Sequence, residues 1–390
     1  MMKRIGQQAM YIAGLSMLLG LFLEMLTGCS GTADVDIKPA RLGPLKSTSA
    51  IHPVWYQQPQ MEYVTVDSYL RPAVDAARFY IADQNGIVRA LNREDGQRIW
   101  RVNTQVSLSG GLGIGDGLLL AGNYDGEVLA LSSDDGRQIW RTQVSSEVLT
   151  SPVVSDGVVV VSTIDGKLFG LSAGDGQRLW VYESTVPTLT LRGLSRPVIS
   201  GDRVLSGLAN GKVVALSLAD GKFLWEMTVA VPEGRSELER LVDIDGDPVL
   251  KDDIFYTASY QGRLVAINTS TGRLLWSRDL SSHTGLAINK DYLYVSDNDS
   301  TLWALDRFNG AIIWKQDKFQ QRSITAPVPY KDYIVVGDFA GYLHWLTQKE
   351  GKIVARRKIS DLRLIAPPVV GDDILFASDE NGMVAALRAD

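Results

Sequence analysis

Hydrophobic and polar residues alternate along most of this chain in short segments, and glycine or aspartate interrupts the alternation every five to eight residues. In the stretch "GVVVVSTI" (157–164), for example, β-branched residues crowd between turn-forming residues. A period of two places successive side chains on opposite faces of a strand, whereas an amphipathic helix requires a period near 3.6. The pattern therefore predicts an all-β protein built from many short strands.

A longer unit recurs above this alternation. The stretch "GIVRALNREDGQRIW" (86–100) returns as "GEVLALSSDDGRQIW" (126–140) and as "GRLVAINTSTGRLLW" (262–276). Eight units begin at positions 86, 126, 166, 211, 262, 300, 341 and 382, which are 38 to 51 residues apart. This period is typical of a propeller blade, and turns at Asp-Gly or Asn-Gly divide each unit into antiparallel strands. We expect an eight-bladed β-propeller of four-stranded antiparallel blades over residues 51–390.

The last unit begins at Gly382 and lacks an outer strand before Asp390. A strand without a unit of its own, "HPVWYQQ" with Trp55, stands near the other end of the propeller region. If this N-terminal strand pairs with the last blade, the ring closes and two open sheet edges disappear, which lowers the risk of aggregation. We therefore predict that the N-terminal strand closes the ring.

A tryptophan recurs at the outer-strand position of seven units, and Ala355 occupies that position in the eighth. A large ring there can fill the space between neighbouring blades, and replacing a buried tryptophan by alanine typically costs about 3–5 kcal/mol. We interpret these tryptophans as structural, blade-docking residues. They are Trp55, Trp100, Trp140, Trp180, Trp225, Trp276 and Trp314.

The N-terminus has the pattern of a secretory signal. Two basic residues precede the apolar stretch "MYIAGLSMLLGLFLEML" (10–26), and small residues follow it before Cys29, the one cysteine of the chain. The sequence "LTGC" resembles a bacterial lipobox, which implies cleavage before Cys29 and attachment of lipid to its thiol. A retained membrane helix is the alternative, although Glu24 interrupts the apolar run.

The lipobox divides the chain into three parts. We predict a lipoprotein signal peptide at residues 1–28 and a lipidated flexible linker at 29–50, which is rich in glycine, proline, serine and threonine. Ser30, rather than aspartate, follows the cysteine, and by resemblance to bacterial lipoproteins this favours sorting to the outer membrane. We expect the propeller to lie on the periplasmic side, held to the membrane by its acyl chains.

Composition and motifs argue against several other functions. A net charge of −6 disfavours a nucleic-acid partner. The carboxylates of "DIDGD" (243–247) suit a hard cation, but Pro248 and Ile254 stand where a calcium-binding EF-hand loop requires glycine and glutamate. The stretch "GLSAG" (170–174) matches a nucleophile elbow but falls in register with ordinary strands. We predict no catalytic residue, no metal site and no cofactor. The histidines are scattered over the chain as His52, His283 and His344.

The recurring unit has a known counterpart. Residues 266–276, with alanine, asparagine, glycine and tryptophan at fixed spacing, resemble the tryptophan-docking repeat of pyrroloquinoline-quinone (PQQ) dehydrogenases. That repeat joins blades in those enzymes too, so the resemblance implies the fold and not the quinone. The enzymes also typically carry a vicinal disulfide, which a single cysteine does not allow. A periplasmic PQQ-dependent quinoprotein dehydrogenase is the alternative function.

A second resemblance covers essentially the whole chain after the signal peptide. The lipobox, the short linker and the eight repeats, together with "VPTLTLRG" (186–193) and "ELERLVDID" (237–245), resemble the BamB family of the outer-membrane β-barrel assembly (BAM) complex. The resemblance implies a non-catalytic scaffold lipoprotein that docks to the POTRA domains of BamA. It also implies that the protein acts together with the other BAM lipoproteins and that it helps to deliver unfolded outer-membrane proteins for insertion. The partner-binding positions that it implies are Leu189, Leu191, Arg192, Asp243 and Asp245.

The repeat spacing points to the same two stretches. From a tryptophan to the next inner-strand proline the chain takes 12 residues at Trp140, 17 at Trp180 and 23 at Trp225. The two insertions flank one blade, and we expect both to project side by side on one face of the disc. Arg192 either pairs with a carboxylate of the partner or holds one of the two aspartates in place.

We interpret Leu238, Leu241 and Ile244, which stand among charged residues, as exposed apolar anchors of the second insertion. The alternative is that the leucines of both insertions cover their own blade.

Overall fold

A computed structural model describes residues 38–58, 70–191 and 195–390 of the chain. Cys29, the signal peptide and the first part of the linker lie outside these residues. Contacts define one compact unit over Pro39–Asp390, and its described residues form strands and turns. In this part of the chain we find no helix with the length and apolar composition needed to span a bilayer.

Thirty-two strands within the described residues form eight antiparallel sheets of four, which we number as blades 1 to 8 along the chain. The strands of blades 1 to 4 follow β1 (Ile51–Gln57) along the chain, from the innermost to the outermost strand of each blade. They are β2 (Ala73–Val74), β3 (Arg78–Ala82), β4 (Ile87–Asn92) and β5 (Arg98–Asn103); β6 (Gly113–Gly115), β7 (Leu118–Gly122), β8 (Glu127–Ser132) and β9 (Gln138–Gln143); β10 (Val153–Ser155), β11 (Val158–Ser162), β12 (Lys167–Ser172) and β13 (Arg178–Glu183); β14 (Val198–Ser200), β15 (Arg203–Gly207), β16 (Lys212–Ser217) and β17 (Phe223–Thr228).

Blades 5 to 8 continue in the same order. Their strands are β18 (Val249–Lys251), β19 (Ile254–Ala258), β20 (Arg263–Asn268) and β21 (Leu274–Asp279); β22 (Leu286–Ile288), β23 (Tyr292–Ser296), β24 (Leu302–Asp306) and β25 (Ile312–Gln316); β26 (Val328–Tyr330), β27 (Tyr333–Gly337), β28 (Tyr342–Thr347) and β29 (Ile353–Lys358); β30 (Val369–Gly371), β31 (Ile374–Ser378) and β32 (Val384–Ala389).

The eight sheets form a closed ring. Each innermost strand contacts the innermost strand of the next blade, and β30 of blade 8 contacts β2 of blade 1. The outer strand of blade 8 is β1, which pairs antiparallel with β32. The predicted eight-bladed propeller, with its ring closed by the N-terminal strand, is thus confirmed.

The hydrophobic cores lie between successive blades. In one of them Tyr80, Ala90 and Trp100 of blade 1 pack against Leu119 and Leu129 of blade 2. Seven of the blades share one arrangement on the outer strand, where the tryptophan pairs across the sheet with a small residue of the third strand. Ala130 faces Trp140 and Gly170 faces Trp180 in this way. The small partner leaves room for the indole ring.

Each outer-strand tryptophan also reaches the next blade. The indole nitrogen of Trp180 donates a hydrogen bond of 2.8 Å to the carbonyl oxygen of Leu218, and the ring lies against Gly221. Gly221 has a φ of +68°, and a Cβ placed on it would come 2.7 Å from Cδ2 of Trp180. The second glycine of each of the first seven units is therefore required by both backbone conformation and close approach. The other six tryptophans donate to the carbonyl oxygens of Arg93, Ser133, Ala173, Thr269, Arg307 and Gln348.

The segment before β1 lies along the outer strand of blade 7. The amide of Ala40 donates to the carbonyl of Gln320 at 2.9 Å, and the amide of Thr48 donates to the carbonyl of Val354 at 2.9 Å. Val354 is 7% exposed, whereas Ile313 at the same place in blade 6 is 42% exposed. Residues 40–49, which the sequence assigns to a flexible linker, thus make defined contacts with the propeller.

Candidate functional site

Blade 4 is flanked by two long connections between outer and inner strands. The first joins β13 to β14 through residues 184–197, and the second joins β17 to β18 through residues 229–248. The equivalent connection from β9 to β10 needs only residues 144–152. We call these two connections the paired loops. Arg192, in the first of these loops by sequence, lies outside the described residues.

The paired loops meet at one hairpin of blade 4. Both contact the hairpin between β15 and β16, where Asn210 donates a side-chain hydrogen bond of 3.2 Å to the carbonyl of Thr185 and the amide of Ile244 donates to the carbonyl of Leu208 at 3.4 Å. A direct bond joins the loops, because the main-chain amide of Leu191 donates to Oδ2 of Asp243 at 2.6 Å. The two insertions therefore form one continuous surface on one face of the disc.

The apolar residues of the paired loops divide into two groups. Leu189 and Leu191 are 41% and 37% exposed, and Leu238 is 65% exposed. Leu241 and Ile244 are buried, and Ile244 packs into the core between blades 4 and 5. The expectation that these last two residues are exposed anchors is wrong, because both side chains are buried rather than exposed to solvent. The exposed leucines remain available to a partner.

Two carboxylates lie beside these leucines. Asp243 is buried, and burial raises the pKa of its carboxyl to about 6, although the hydrogen bond from Leu191 opposes this shift. Asp245 is partly buried, and its pKa is raised to about 7. Burial is the larger cause, and the negative charge of Asp243 is the smaller one. The Oδ1 atom of each is buried and has no hydrogen-bond partner among the described residues.

The two carboxylates lie near no described cation. No described side chain forms an ion pair with Asp243 or Asp245, so burial makes their charged forms costly. A cation brought close to Asp245 would lower that cost and favour the ionised carboxylate. Asp243 has a second role that its sequence position does not reveal, since it holds the main chain of Leu191 in place. The surface thus combines apolar side chains with carboxylates that lack a cation among the described residues.

The other carboxylate of "DIDGD" faces elsewhere. Asp247 forms an ion pair with Arg71. Arg71 precedes β2 of blade 1 and Asp247 precedes β18 of blade 5, so the pair joins opposite sides of the ring. The three carboxylates therefore do not converge on one point. Across the described ranges, no group of three histidine, cysteine, aspartate or glutamate side chains is placed to hold a metal ion.

The three histidines lie in separate places. His52 pairs with Asp390 at the surface, and His283 bonds to Asn298. His344 is buried beside Asp338, and its burial lowers the pKa of the imidazole. Gly170 and Ser172 of the stretch "GLSAG" lie in β12, which pairs with strands on both sides. The histidines and the stretch "GLSAG" thus make contacts within the propeller structure.

A family model and two relatives from other bacteria match this sequence and carry the same name. A family model described as outer membrane protein assembly factor BamB matches residues 84–316. The chain is 44% identical over 369 residues to the outer membrane protein assembly factor BamB of Pseudomonas aeruginosa, covering 94% of this chain and 97% of that protein. It is 48% identical over 319 residues to the protein of the same name from Alkalilimnicola ehrlichii, covering 82% of this chain and 83% of that protein.

Solved structures share the architecture. The crystal structure of BamB from Moraxella catarrhalis superposes with a TM-score of 0.77 at 30% identity, covering 85% of this chain and 99% of that one. A quinohemoprotein alcohol dehydrogenase from Comamonas testosteroni superposes with a TM-score of 0.70 at 13% identity, covering 87% of this chain and 76% of that one. At that identity the likeness shows the fold alone.

Proposed function

This chain belongs to the BamB family of outer membrane protein assembly factors, and from that membership we propose that it is a non-catalytic scaffold of the BAM complex. In this role it docks to the POTRA domains of BamA through the paired loops and helps unfolded outer-membrane proteins reach the site of insertion. Cys29 carries the lipid that anchors it to the periplasmic face of the outer membrane, beside the other BAM lipoproteins.

The observation that carries the docking proposal is the bond between Leu191 and Asp243. It joins the two insertions and presents Leu189 and Leu191 at the surface, although the free energy of burial favours covering apolar side chains. Apolar side chains at the centre of a docking surface, beside polar groups that gain a partner on binding, are typical of binding hot spots. The geometry therefore suits protein docking better than catalysis.

The chemistry of the surface defines what its partner presents. An apolar pocket or strand receives Leu189 and Leu191, and a lysine or arginine of the partner approaches Asp245. Burying these leucines stabilises the complex, and the cation pairs with a carboxylate that has no ion-pair partner among the described residues. Arg192 contributes either to the partner or to the two aspartates.

Co-purification with BamA tests this proposal. The double variant Leu189→Ser, Leu191→Ser in the lipidated full chain should lose BamA in affinity capture and keep its midpoint of thermal unfolding, because both side chains are exposed. Leu179→Ser, at an exposed leucine of β13 outside the paired loops, is the matched control and should retain BamA. Capture of BamA at the wild-type level by the double variant would rule out this docking surface.

The aspartates need different substitutions from the leucines. Asp245→Asn removes the carboxylate that we propose pairs with the partner's cation, and because asparagine is similar in size the loops should stay folded while capture of BamA falls. Asp243→Asn keeps an oxygen acceptor for the amide of Leu191 and should leave the loops joined, so we expect a smaller loss of BamA. Stoichiometric binding of added pyrroloquinoline quinone by the purified chain would instead favour the dehydrogenase alternative.

A further inference from the structure

The groove along blade 7 binds the main chain of residues 40–49. Arg322 Nη1 donates to the carbonyl of Ala40 at 3.0 Å, and Arg356 Nη1 donates to the carbonyl of Gly43 at 3.0 Å. The amide of Thr48 donates to the outer strand at Val354. All three contacts involve main-chain atoms of the bound segment. A groove of this kind holds an extended chain with little dependence on its side chains.

A row of three side chains supports this groove. Asp338, on the hairpin between β27 and β28, accepts hydrogen bonds from Arg322 at 2.6 Å and from Nε2 of His344 at 3.0 Å. Arg356, on the outer strand, donates to Nδ1 of the same histidine at 3.3 Å. An acid, a ring and a cation therefore lie side by side across blade 7, and the cation faces the bound segment.

Blade 6 has the same row. Trp303 occupies the register position of His344, since it pairs with Lys315 as His344 pairs with Arg356. The indole nitrogen of Trp303 donates to Oδ2 of Asp297 at 2.8 Å, and the ammonium group of Lys315 lies 5.7 Å from the centre of the indole ring. Asp297, Trp303 and Lys315 thus repeat the acid, the ring and the cation of blade 7.

The groove of blade 6 is open, whereas that of blade 7 is filled. A cavity of about 410 Å³ lies between blades 5 and 6 and is lined by Arg278, Ser281, Asp299, Trp303 and Ile312 among others. Ile312 and Ile313 on the outer strand are 45% and 42% exposed. β25 has no strand on its outer side within the described residues, so its main-chain groups there are free to pair.

We propose that this blade 6 groove binds an extended segment of another polypeptide in the way that the blade 7 groove holds residues 40–49. Lys315 donates to a carbonyl of the bound segment, the carbonyl of Ile313 accepts from one of its amides, and apolar side chains of the segment cover Ile312 and Ile313. The groove is a second binding site, separate from the paired loops.

The occupant that fits is a strand of an unfolded outer-membrane β-barrel protein, an identification that rests on the proposed function. Such strands alternate apolar and polar residues, and their main-chain groups stay unpaired until the barrel closes. The apolar side of the strand matches Ile312 and Ile313, and its free amides and carbonyls match the edge of β25. In a folded barrel the main-chain groups are all paired, and lipid or detergent covers the apolar band.

Photo-crosslinking from the groove tests the inference. The full lipidated chain carries p-benzoylphenylalanine in place of Ile313, and a urea-unfolded outer-membrane porin is diluted into it. We expect a crosslinked product with the unfolded porin and none with the folded porin. Lys315→Glu should reduce the yield by about tenfold, because a hydrogen bond from a charged donor is lost. Lys315 is exposed, so this variant keeps the fold.

The matched control places the same crosslinker at Ile139 of blade 2, which is 38% exposed. The supporting row is absent there, because Asn123 and Leu129 replace the acid and the ring. Equal crosslinking from positions 139 and 313, or none from 313, would overturn the inference. Capture of BamA by the same preparations separates the two proposals, since loss of porin crosslinking with BamA retained leaves the docking proposal intact.

Discussion

Trp345 and Ala355 face each other across blade 7 in the reverse of the arrangement found in the other blades. Trp345 lies on the third strand, is fully buried and pairs with Ala355 on the outer strand. An outer-strand tryptophan normally donates to the turn between the third and outer strands of the next blade. The blade after blade 7 takes its outer strand from β1, so it has no such turn. A tryptophan at position 355 would lack its carbonyl acceptor, and the ring is supplied from the third strand instead.

This exchange leads to a first prediction about stability. Trp345→Ala should lower the free energy of unfolding by about 3–5 kcal/mol, because it leaves a cavity between blades 7 and 8. Adding Ala355→Trp should not restore stability, because the acceptor turn is missing. Urea unfolding followed by tryptophan fluorescence measures both changes. Recovery of wild-type stability in the double variant would contradict this explanation of the vacancy.

A matched pair of phenylalanine substitutions separates packing from hydrogen bonding. Trp180→Phe should lose about 1 kcal/mol more than Trp345→Phe, because the indole nitrogen of Trp180 donates to Leu218 while that of Trp345 has no partner among the described residues. Urea unfolding of both variants gives the difference. Equal losses would mean that the hydrogen bond to the next blade contributes nothing measurable.

Two glycines of blade 4 allow a test of the close approach between blades. Gly201 and Gly221 both have positive φ, at +56° and +68°, but nothing lies within 4 Å of a Cβ at Gly201. Both alanine variants carry the backbone strain, and only Gly221→Ala also presses on Trp180. We expect Gly221→Ala to be less stable than Gly201→Ala by about 1–3 kcal/mol, the usual cost of overpacking. Thermal unfolding of the two variants measures this difference in stability. Equal midpoints would contradict the prediction.

The buried carboxylates of the paired loops predict a pH dependence. The pKa of Asp243 and that of Asp245 are raised from 3.8 to about 6 and about 7. Between about pH 4 and pH 7 the folded chain therefore holds protons that the unfolded chain has released, so the free energy of unfolding falls as the pH rises. Asp245→Asn should remove part of this fall, on the order of 1–3 kcal/mol between pH 4.5 and 7.5.

Urea unfolding at the two pH values measures that difference. Asp220→Asn is the control, because hydrogen bonds from Lys222 and Ser217 lower the pKa of this exposed carboxyl below the window. It should leave the slope between pH 4.5 and 7.5 unchanged. A wild-type slope in the Asp245→Asn variant would mean that this carboxyl is ionised throughout the range.

The segment along blade 7 predicts a change in protease sensitivity. Arg356→Ala removes the bond to the carbonyl of Gly43, and we expect trypsin to cleave after Arg41 and Lys46 several times faster because local opening becomes easier. Limited proteolysis with mass spectrometry gives the rates. Lys315→Ala, at the equivalent position of blade 6, should leave the cleavage rate unchanged. Equal rates in wild type and Arg356→Ala would show that the arginine does not hold the segment.

Much of the fold was predictable because its signals are local and repeated. A period of two, glycine-containing turns and a unit of 38 to 51 residues indicate four-stranded blades wherever they occur, and the unpaired Trp55 strand indicates how the ring closes. The positions of the second glycines in the repeats are visible in the sequence. Their contacts with the outer-strand tryptophan of the preceding blade are visible only in the tertiary structure. The exchange of Trp345 and Ala355 also carries a signal in the sequence, since a tryptophan stands on the third strand of the one unit that lacks it on the outer strand.

The paired loops were located by counting residues, but their surface was not predictable. Leu238 and Leu241 stand three residues apart in the same charged stretch and have opposite exposure, because burial of a loop residue depends on what packs against it in three dimensions. The bond from Leu191 to Asp243 joins positions 52 apart in the chain, and no local pattern encodes such a contact. By itself the sequence determined the number of blades, their order and the closing strand, since these follow from short-range periodicity. Only the tertiary structure decided which leucines face solvent, which carboxylates lie beside them, and which groove residues 40–49 fill, because those depend on contacts between distant parts of the chain.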